Sequence, residues 1–91
     1  MISEKWNKMT KYQRYGNITS ELWRSVHALE NNNINNYKLS MYRVLEMLDY
    51  NKAVDKKIEM FRFYEYIAAQ IEEPNIEILQ QCHDYTLGFM N

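Results

Sequence analysis

Glycine and proline are nearly absent from this chain of 91 residues, which contains only Gly16, Gly88 and Pro74. A β-rich domain of this length needs many tight turns, and tight turns depend on these residues. Hydrophobic residues make up 46% of the chain and charged residues 25%, as in globular proteins. We therefore predict a single all-α domain over residues 1–91, folded as a compact bundle of four or five helices.

Apolar residues at helical spacing, together with capping residues, predict the bounds of the first two helices. The first runs from about Ser3 to Arg14 and ends before Gly16, because glycine is typical just past a helix C-terminus. The second runs from about Ser20 to Glu30 and has Thr19 as its N-cap. The chain is therefore expected to leave its first helix at about Gly16.

A cluster of asparagines follows the second helix, with five Asn residues around Ile34 between Asn31 and Asn36. Asparagine competes for backbone hydrogen bonds and tolerates left-handed conformations, so this segment is predicted to be a connection. Asn35 or Asn36 is expected to cap a third helix that runs from about Tyr37 to Tyr50.

The last two helices occupy the rest of the chain. The fourth is predicted to begin between Lys52 and Lys56 and to end near Glu72. Only Asn51 argues for a break before it, so one continuous third-plus-fourth helix stays an alternative. The fifth is predicted to run from Pro74 or Asn75 to about Leu87, with Pro74 suited to the first turn and Gly88 to the stop.

The fourth helix carries an unusually wide apolar arc of roughly 200°, about twice what a surface helix needs. Its members are Val54, Ile58, Met60, Phe61, Phe63, Tyr64, Ile67, Ala68 and Ile71. Either this helix is central in the bundle and covered on two sides, which we favour, or another protein covers one side. Phe61 is predicted to lie in the core. Met60, Phe63 and Ile67 are the residues we predict for a protein interface.

Charge is divided along the chain, because Arg62 is the last basic residue. The first 62 residues hold all 11 Lys and Arg against 7 acidic residues, whereas Phe63 to Asn91 holds five acidic residues and no base. Near the N-terminus, four basic residues recur every three positions: Lys5, Lys8, Lys11 and Arg14. We expect the two ends to lie apart and this basic set to contact an acidic surface, either the C-terminal helix of a second copy or another protein. The alternative is contact with nucleic acid, although a pI of about 6.1 is far from that of a dedicated binder.

Residues for catalysis or metal binding are few. The only histidines are His27 and His83, and no Glu-x-x-His pair of the kind found in di-metal bundles occurs. Cys82 and His83 are adjacent, hence about 100° apart on a helix, and are not placed to chelate one ion together. We therefore predict no enzymatic activity, no metal and no cofactor.

The remaining features predict the cellular setting and the function class. Cys82 is the only cysteine, so no internal disulfide forms and a reducing compartment is expected. The N-terminal residues lack the apolar run of a signal peptide, and no run of apolar residues is long enough to span a membrane. We predict a cytoplasmic, non-enzymatic protein-interaction module that acts as a homodimer or as a subunit of a larger complex. The alternative is an accessory protein that contacts nucleic acid, within an assembly, through its basic N-terminal helix.

Overall fold

Five helices account for nearly all of the computed structural model, which describes residues 2–54 and 58–89. They are α1 (Ile2–Lys8), α2 (Lys11–Glu30), α3 (Ile34–Val54), α4 (Ile58–Glu72) and α5 (Ile76–Gly88). The radius of gyration is 12.4 Å, the value expected for a compact chain of this length. No strand occurs in the described residues, so the prediction of an all-α bundle is confirmed.

A capping box at Thr10 separates α1 from α2. The hydroxyl of Thr10 accepts a hydrogen bond from the backbone N–H of Gln13 at 3.1 Å, and the Gln13 side chain accepts one from the Thr10 N–H at 2.9 Å. The predicted first helix from Ser3 to Arg14 is therefore wrong, because α1 ends at Lys8 and a separate helix begins at Lys11. Gly16 and Thr19 lie inside α2, so the predicted stop and N-cap are wrong as well. The capping box satisfies two backbone donors at once, and this stabilises a helix start at Lys11 more than Gly16 favours a helix end.

The asparagine cluster forms the connection between α2 and α3, as predicted, but the connection is shorter than predicted because α3 already begins at Ile34. Asn32 has a φ of 56°, the left-handed conformation that asparagine tolerates. The side chain of Asn33 accepts a hydrogen bond from the Asn36 N–H at 3.2 Å and caps α3, so the predicted cap at Asn35 or Asn36 is wrong. The fifth helix begins close to its predicted start, with Asn75 as its N-cap, whereas Pro74 precedes the cap instead of occupying the first turn.

α3 and α4 run side by side in opposite directions. The hydroxyl of Tyr37, near the start of α3, donates a hydrogen bond to the carbonyl of Gln70, near the end of α4. Along one continuous helix these residues would lie about 50 Å apart, so the alternative of a single helix is excluded. The predicted start of the fourth helix falls partly on residues 55–57, outside the described residues. Asn51, which argued for a break, lies within α3.

The four long helices form an antiparallel bundle arranged as a ring, in which the most extensive packing involves α2. Helix α2 packs against α5 on one side, with the Thr19 and Thr86 hydroxyls 2.8 Å apart, and against α3 on the other. α4 packs mainly on α3, and its approach to α5 is the loosest among neighbouring long helices. The prediction that the fourth helix is central is therefore wrong. The residues of α2 buried by its neighbours are Tyr15, Ile18, Thr19, Glu21, Leu22, Ser25 and Val26.

A buried polar network joins α2, α3 and α4 and includes Asn51, which is fully buried. Its side-chain oxygen accepts from Nε of Arg14 at 3.1 Å, and its nitrogen donates to the Tyr15 hydroxyl at 3.2 Å. The Tyr15 hydroxyl in turn donates to the sulfur of Met60 at 3.2 Å. Arg14 also donates to the carbonyl of Met9 at 2.9 Å, which ties the break between α1 and α2 to the bundle. None of the described helices is long and apolar enough to cross a membrane.

Candidate functional site

The two faces of α4 are arranged in the opposite way to the prediction. Met60, Phe63 and Ile67 are only 1%, 7% and 0% exposed, whereas Phe61, predicted as core, is 43% exposed. The first three residues recur at helical spacing and pack into the bundle, so the prediction of Met60 and Ile67 as interface residues is corrected, whereas Phe63 also lines a groove that opens to the surface. An apolar arc of roughly 200° contains two faces of similar hydrophobicity, and packing against α3 decides between them.

An open apolar groove lies where α4 and α5 separate. Its volume is about 510 Å³. The lining residues are Glu59, Arg62, Phe63 and Tyr66 on α4 and Gln81, Cys82 and Tyr85 on α5. The α4 residues follow the i, i+3, i+4, i+7 spacing of one helix face, and they cover about 10 Å of helix length. We call this feature the α4–α5 groove.

Aromatic rings form the floor and the walls of the α4–α5 groove. The rings of Phe63 and Tyr85 lie 5.1 Å apart and bridge the two helices. Tyr85 also contacts Phe89 edge-to-face at 5.0 Å, and Phe89 stacks on Tyr15 of α2 at 4.7 Å. The walls are nevertheless solvent-exposed, since Tyr66 is 46% exposed and Tyr85 41%. The groove therefore has a floor of packed rings and exposed walls.

Acidic residues predominate at the rim of the α4–α5 groove. Glu59 on α4 faces Tyr85, and both burial and the nearby Glu59 charge raise the pKa of the Tyr85 hydroxyl. On α5, Glu77 lies four residues before Gln81 and Asp84 lies three residues after it, so helical spacing puts both on the exposed strip beside the groove. Arg62 is the only Lys or Arg in the sequence from Ile58 to Asn91.

The nucleophilic and titratable candidates are placed without any catalytic arrangement. Cys82 is buried at the floor of the groove, and burial raises the pKa of its thiol to about 11, so the unreactive thiol form dominates at neutral pH. His83 lies 3.2 Å from the Asp84 carboxylate, and the ring of His27 packs against Trp23 at 4.0 Å. Within residues 2–54 and 58–89, no group of three or more His, Cys, Asp or Glu residues is positioned to hold a metal ion.

The basic N-terminal set does not form one continuous face. Lys5 and Lys8 lie on α1, whereas Lys11 and Arg14 lie on α2 beyond the capping box. Arg14 is half-buried and donates to Asn51 and Met9, so it positions the fold and is not presented to a partner. The three lysines are exposed. Sequence spacing alone suggested a single face because it assumed a single helix.

The two charged ends lie closer together than expected, but they do not neutralise each other. The ammonium group of Lys11 lies 5.6 Å from the centre of the Phe89 ring, at the C-terminal end of α5, so the expectation that the ends are apart is wrong for α2. Because the two helices are antiparallel, Glu77 lies at the other end of α5. In the described part of the chain, no Lys or Arg forms a salt bridge with Glu72, Glu77 or Asp84.

A second cavity lies between α1, α2 and α3 and has a volume of about 470 Å³. Two of its lining residues contain buried polar atoms without a hydrogen-bond partner, the indole nitrogen of Trp6 and one carboxylate oxygen of Glu21. The other Glu21 oxygen accepts from Arg24 at 2.8 Å. A hydrogen-bonding group inside this cavity would satisfy both atoms, because buried polar groups are normally paired.

Comparisons with protein-family models, with curated proteins and with solved structures found no match to this chain. No functional property therefore carries over from another protein. The α4–α5 groove combines exposed aromatic side chains, a floor of packed rings and a concave shape.

Proposed function

We propose that this protein is a non-enzymatic interaction module that binds a helical segment of another protein in the α4–α5 groove. One observation carries the proposal: the loosest seam of the bundle exposes two tyrosines, Tyr66 and Tyr85, on either side of a buried phenylalanine, Phe63. Tyrosine is among the residues that contribute most to protein interfaces, since it offers a large rigid surface and a polar tip.

The shape of the α4–α5 groove favours a helix as its occupant. Its walls are two antiparallel helices, and the lining face of α4 extends about 10 Å, close to two helical turns. An amphipathic helix that presents apolar side chains at i, i+3, i+4 and i+7 fits such a groove, as in other helix-in-groove complexes. Its backbone hydrogen bonds are satisfied internally, so an apolar lining suffices for it.

A different protein is favoured over a second copy at this surface. A two-fold dimer through the α4–α5 groove would bring the same face of both copies together. Each face carries three acidic residues near the groove, Glu59, Glu77 and Asp84, against one base in its lining, Arg62, and this excess of like charge opposes association. We therefore expect the isolated protein to sediment as a monomer at low salt, and a stable dimer lost in the Tyr66→Asp variant would contradict this assignment.

The nucleic-acid alternative has less support. Tyr12 is exposed beside Lys11, which suits contact with phosphates and unpaired bases. Arg14, however, is committed to Asn51 and Met9, and the lysines are divided between two helices. Binding of a single-stranded oligonucleotide at physiological salt, if it is lost after charge reversal at Lys8 and Lys11, would favour this alternative.

Selection from a display library of helical peptides tests the proposal, and it does not require the natural partner to be identified first. We expect the protein to enrich peptides whose apolar residues recur at i, i+3, i+4 and i+7. Their binding should weaken at least about tenfold in the Tyr66→Asp variant, because a desolvated carboxylate in the groove opposes apolar contact.

Tyr42 provides the matched control. It is 55% exposed on α3, away from the α4–α5 groove, so Tyr42→Asp makes the same chemical change elsewhere. Selected peptides should bind this variant as they bind the unmodified protein. Peptides that bind the Tyr66→Asp variant equally well, or the absence of any enriched helical peptide, would contradict the proposal.

A further inference from the structure

We infer that the helix bound in the α4–α5 groove is cationic, with Lys or Arg residues beside its apolar stripe on the flank that faces α5. The inference rests on the proposed function and specifies the chemistry of the partner. It depends on the charges around the groove, whereas the proposed function depends on the apolar lining. An experiment can therefore contradict the cationic inference and still support the proposed function.

The acidic excess around the α4–α5 groove has little compensation within the protein. From Phe63 to Asn91 the chain contains five acidic residues and no Lys or Arg. Glu59, Glu77 and Asp84 are exposed, and none of them is in a salt bridge with Lys or Arg among the described residues. Arg62 lines the α4 wall, and Lys11 of α2 approaches Phe89, whose ring contacts Tyr85 at one end of the groove. A potential of one sign along a concave surface attracts and orients a partner of opposite charge.

The acidic excess lies on the α5 edge of the groove. On the α4 wall, Glu59 is balanced by Arg62, which lines the same wall. Glu77 and Asp84 flank Gln81 on the solvent side of the α5 wall and are seven residues apart, nearly two turns. Asp84 also lies 3.2 Å from His83, which is not a Lys or Arg. A helix seated in the groove is therefore complemented when its apolar stripe is bordered by cationic residues on the flank that faces α5.

Exposed tyrosine rings add a second attraction for cations. The face of a tyrosine ring attracts an ammonium or guanidinium group, and Arg in particular stacks on it. This chain already makes such contacts internally, with the ammonium of Lys52 lying 3.7 Å from the ring centre of Tyr64. Tyr66 and Tyr85 offer comparable rings to a partner at the groove.

Three stapled helical peptides test the inference, with an identical apolar stripe and flanking positions that are all Lys, all Gln or all Glu. Stapling keeps their helicity equal, so affinity differences reflect charge. We expect the Lys peptide to bind at least about tenfold more tightly than the Glu peptide at low salt, with the Gln peptide between them. At about 1 M salt the difference should largely disappear, because the screening length falls to about 3 Å.

Two triple variants test whether the preference for the Lys peptide comes from the acidic residues around the groove. The Glu59→Gln, Glu77→Gln and Asp84→Asn combination should remove most of the preference for the Lys peptide while the Gln peptide still binds. The control combination is Glu30→Gln, Glu46→Gln and Asp49→Asn, which removes three exposed charges on α2 and α3, neither of which lines the groove, and should leave the preference intact.

The outcomes separate the two proposals. Equal binding of all three peptides, lost in the Tyr66→Asp variant, overturns the cationic inference and supports the groove as a helix-binding site. Tighter binding of the Glu peptide overturns the inference in the same way. Failure of all three peptides to bind overturns the proposed function as well.

Discussion

The α2–α3 seam and the α4–α5 seam of this bundle are built differently. At the α2–α3 seam, Arg14 and Asn51 are joined by a hydrogen bond of 3.1 Å, and Glu21 approaches Arg43 at 3.9 Å near the middle of both helices. At the α4–α5 seam, the ring contact between Phe63 and Tyr85 bridges an otherwise open groove. Both seams connect antiparallel helices of the same chain, so the difference lies in the side chains.

The comparison separates residues that hold the fold from residues that are exposed to a partner. The α2–α3 seam includes a buried polar network, which is costly to form unless each member is hydrogen-bonded and which then specifies one arrangement. The α4–α5 seam exposes aromatic area that the monomer does not use. A contiguous apolar surface on a small protein is typically an interaction site.

The largest difference is expected from a leucine-to-alanine pair, one leucine buried on α2 and the other exposed on α5. Leu22 is fully buried on α2, whereas Leu87 is 44% exposed on α5. Leu22→Ala should lower the free energy of unfolding by about 2–5 kcal/mol through lost burial and a residual cavity. Leu87→Ala should lower it by less than about 1 kcal/mol. Urea denaturation measures the free energy of unfolding of both variants. Similar losses would mean that Leu22 and Leu87 do not differ in packing.

The polar network gives the next largest effect. Asn51→Ala removes the acceptor of Arg14 and a donor to Tyr15, and it leaves the Arg14 guanidinium without that buried partner. We expect a loss of roughly 1–3 kcal/mol in the free energy of unfolding. Asn35→Ala, at an exposed position of α3, is the matched control and should change stability by no more than about 0.5 kcal/mol. A loss at Asn51 no greater than that at Asn35 would show that the network adds nothing to the α2–α3 seam.

Phe61 sharpens the comparison within α4. It is exposed, and its ring lies 5.4 Å below the ammonium of Lys52, whereas Ile67 on the opposite face is fully buried. Phe61→Ala should therefore cost about 1 kcal/mol or less, in contrast to about 2–5 kcal/mol for Ile67→Ala. Thermal or chemical denaturation of the two variants decides which face of α4 holds the bundle. The reverse order of losses would restore the face predicted from the sequence.

The smallest expected effect is a dependence on alkaline pH. Burial raises the pKa of the Cys82 thiol from 9.0 to about 11 and that of the Tyr37 hydroxyl from 10.0 to about 12, the latter with a smaller contribution from Cys82. Because both pKa values are higher in the folded state, their contributions are complete below about pH 9 and decline as pH rises. The melting temperature should therefore fall above about pH 9, and Cys82→Ala should reduce that fall. A fall of equal size in Cys82→Ala would assign the effect to other groups.

Much of the fold was predictable from the sequence, and the errors have identifiable causes. Glycine scarcity and apolar spacing were enough for the all-α class, and the start of the fifth helix was predictable from Pro74 and Asn75. The Thr10–Gln13 capping box is also visible in the sequence, but Gly16 is the more conspicuous signal for a helix end. Glycine inside a helix costs only about 1 kcal/mol, so it does not by itself end one.

The candidate site was harder to predict because it depends on how two helices pack. The wide apolar arc indicated that α4 has more apolar surface than a core face needs, but it did not distinguish Phe61 from Phe63. Tyr85, on α5, comes close to α4 only in the folded chain. Arg14 resembled a surface cation, although its partner Asn51 lies 37 positions away in the sequence.

The most direct test of the central claim is a titration of the nitrogen-15-labelled protein with the Lys-flanked stapled peptide, followed by amide chemical shifts. The account predicts changes at Tyr66, Gln81 and Tyr85 and at their neighbours along α4 and α5. The indole signals of Trp6 and Trp23, neither of which lines the α4–α5 groove, should stay in place as internal controls. Changes centred on the exposed lysines of α1 and α2, or on Trp23, would contradict the assignment of the groove as the binding surface.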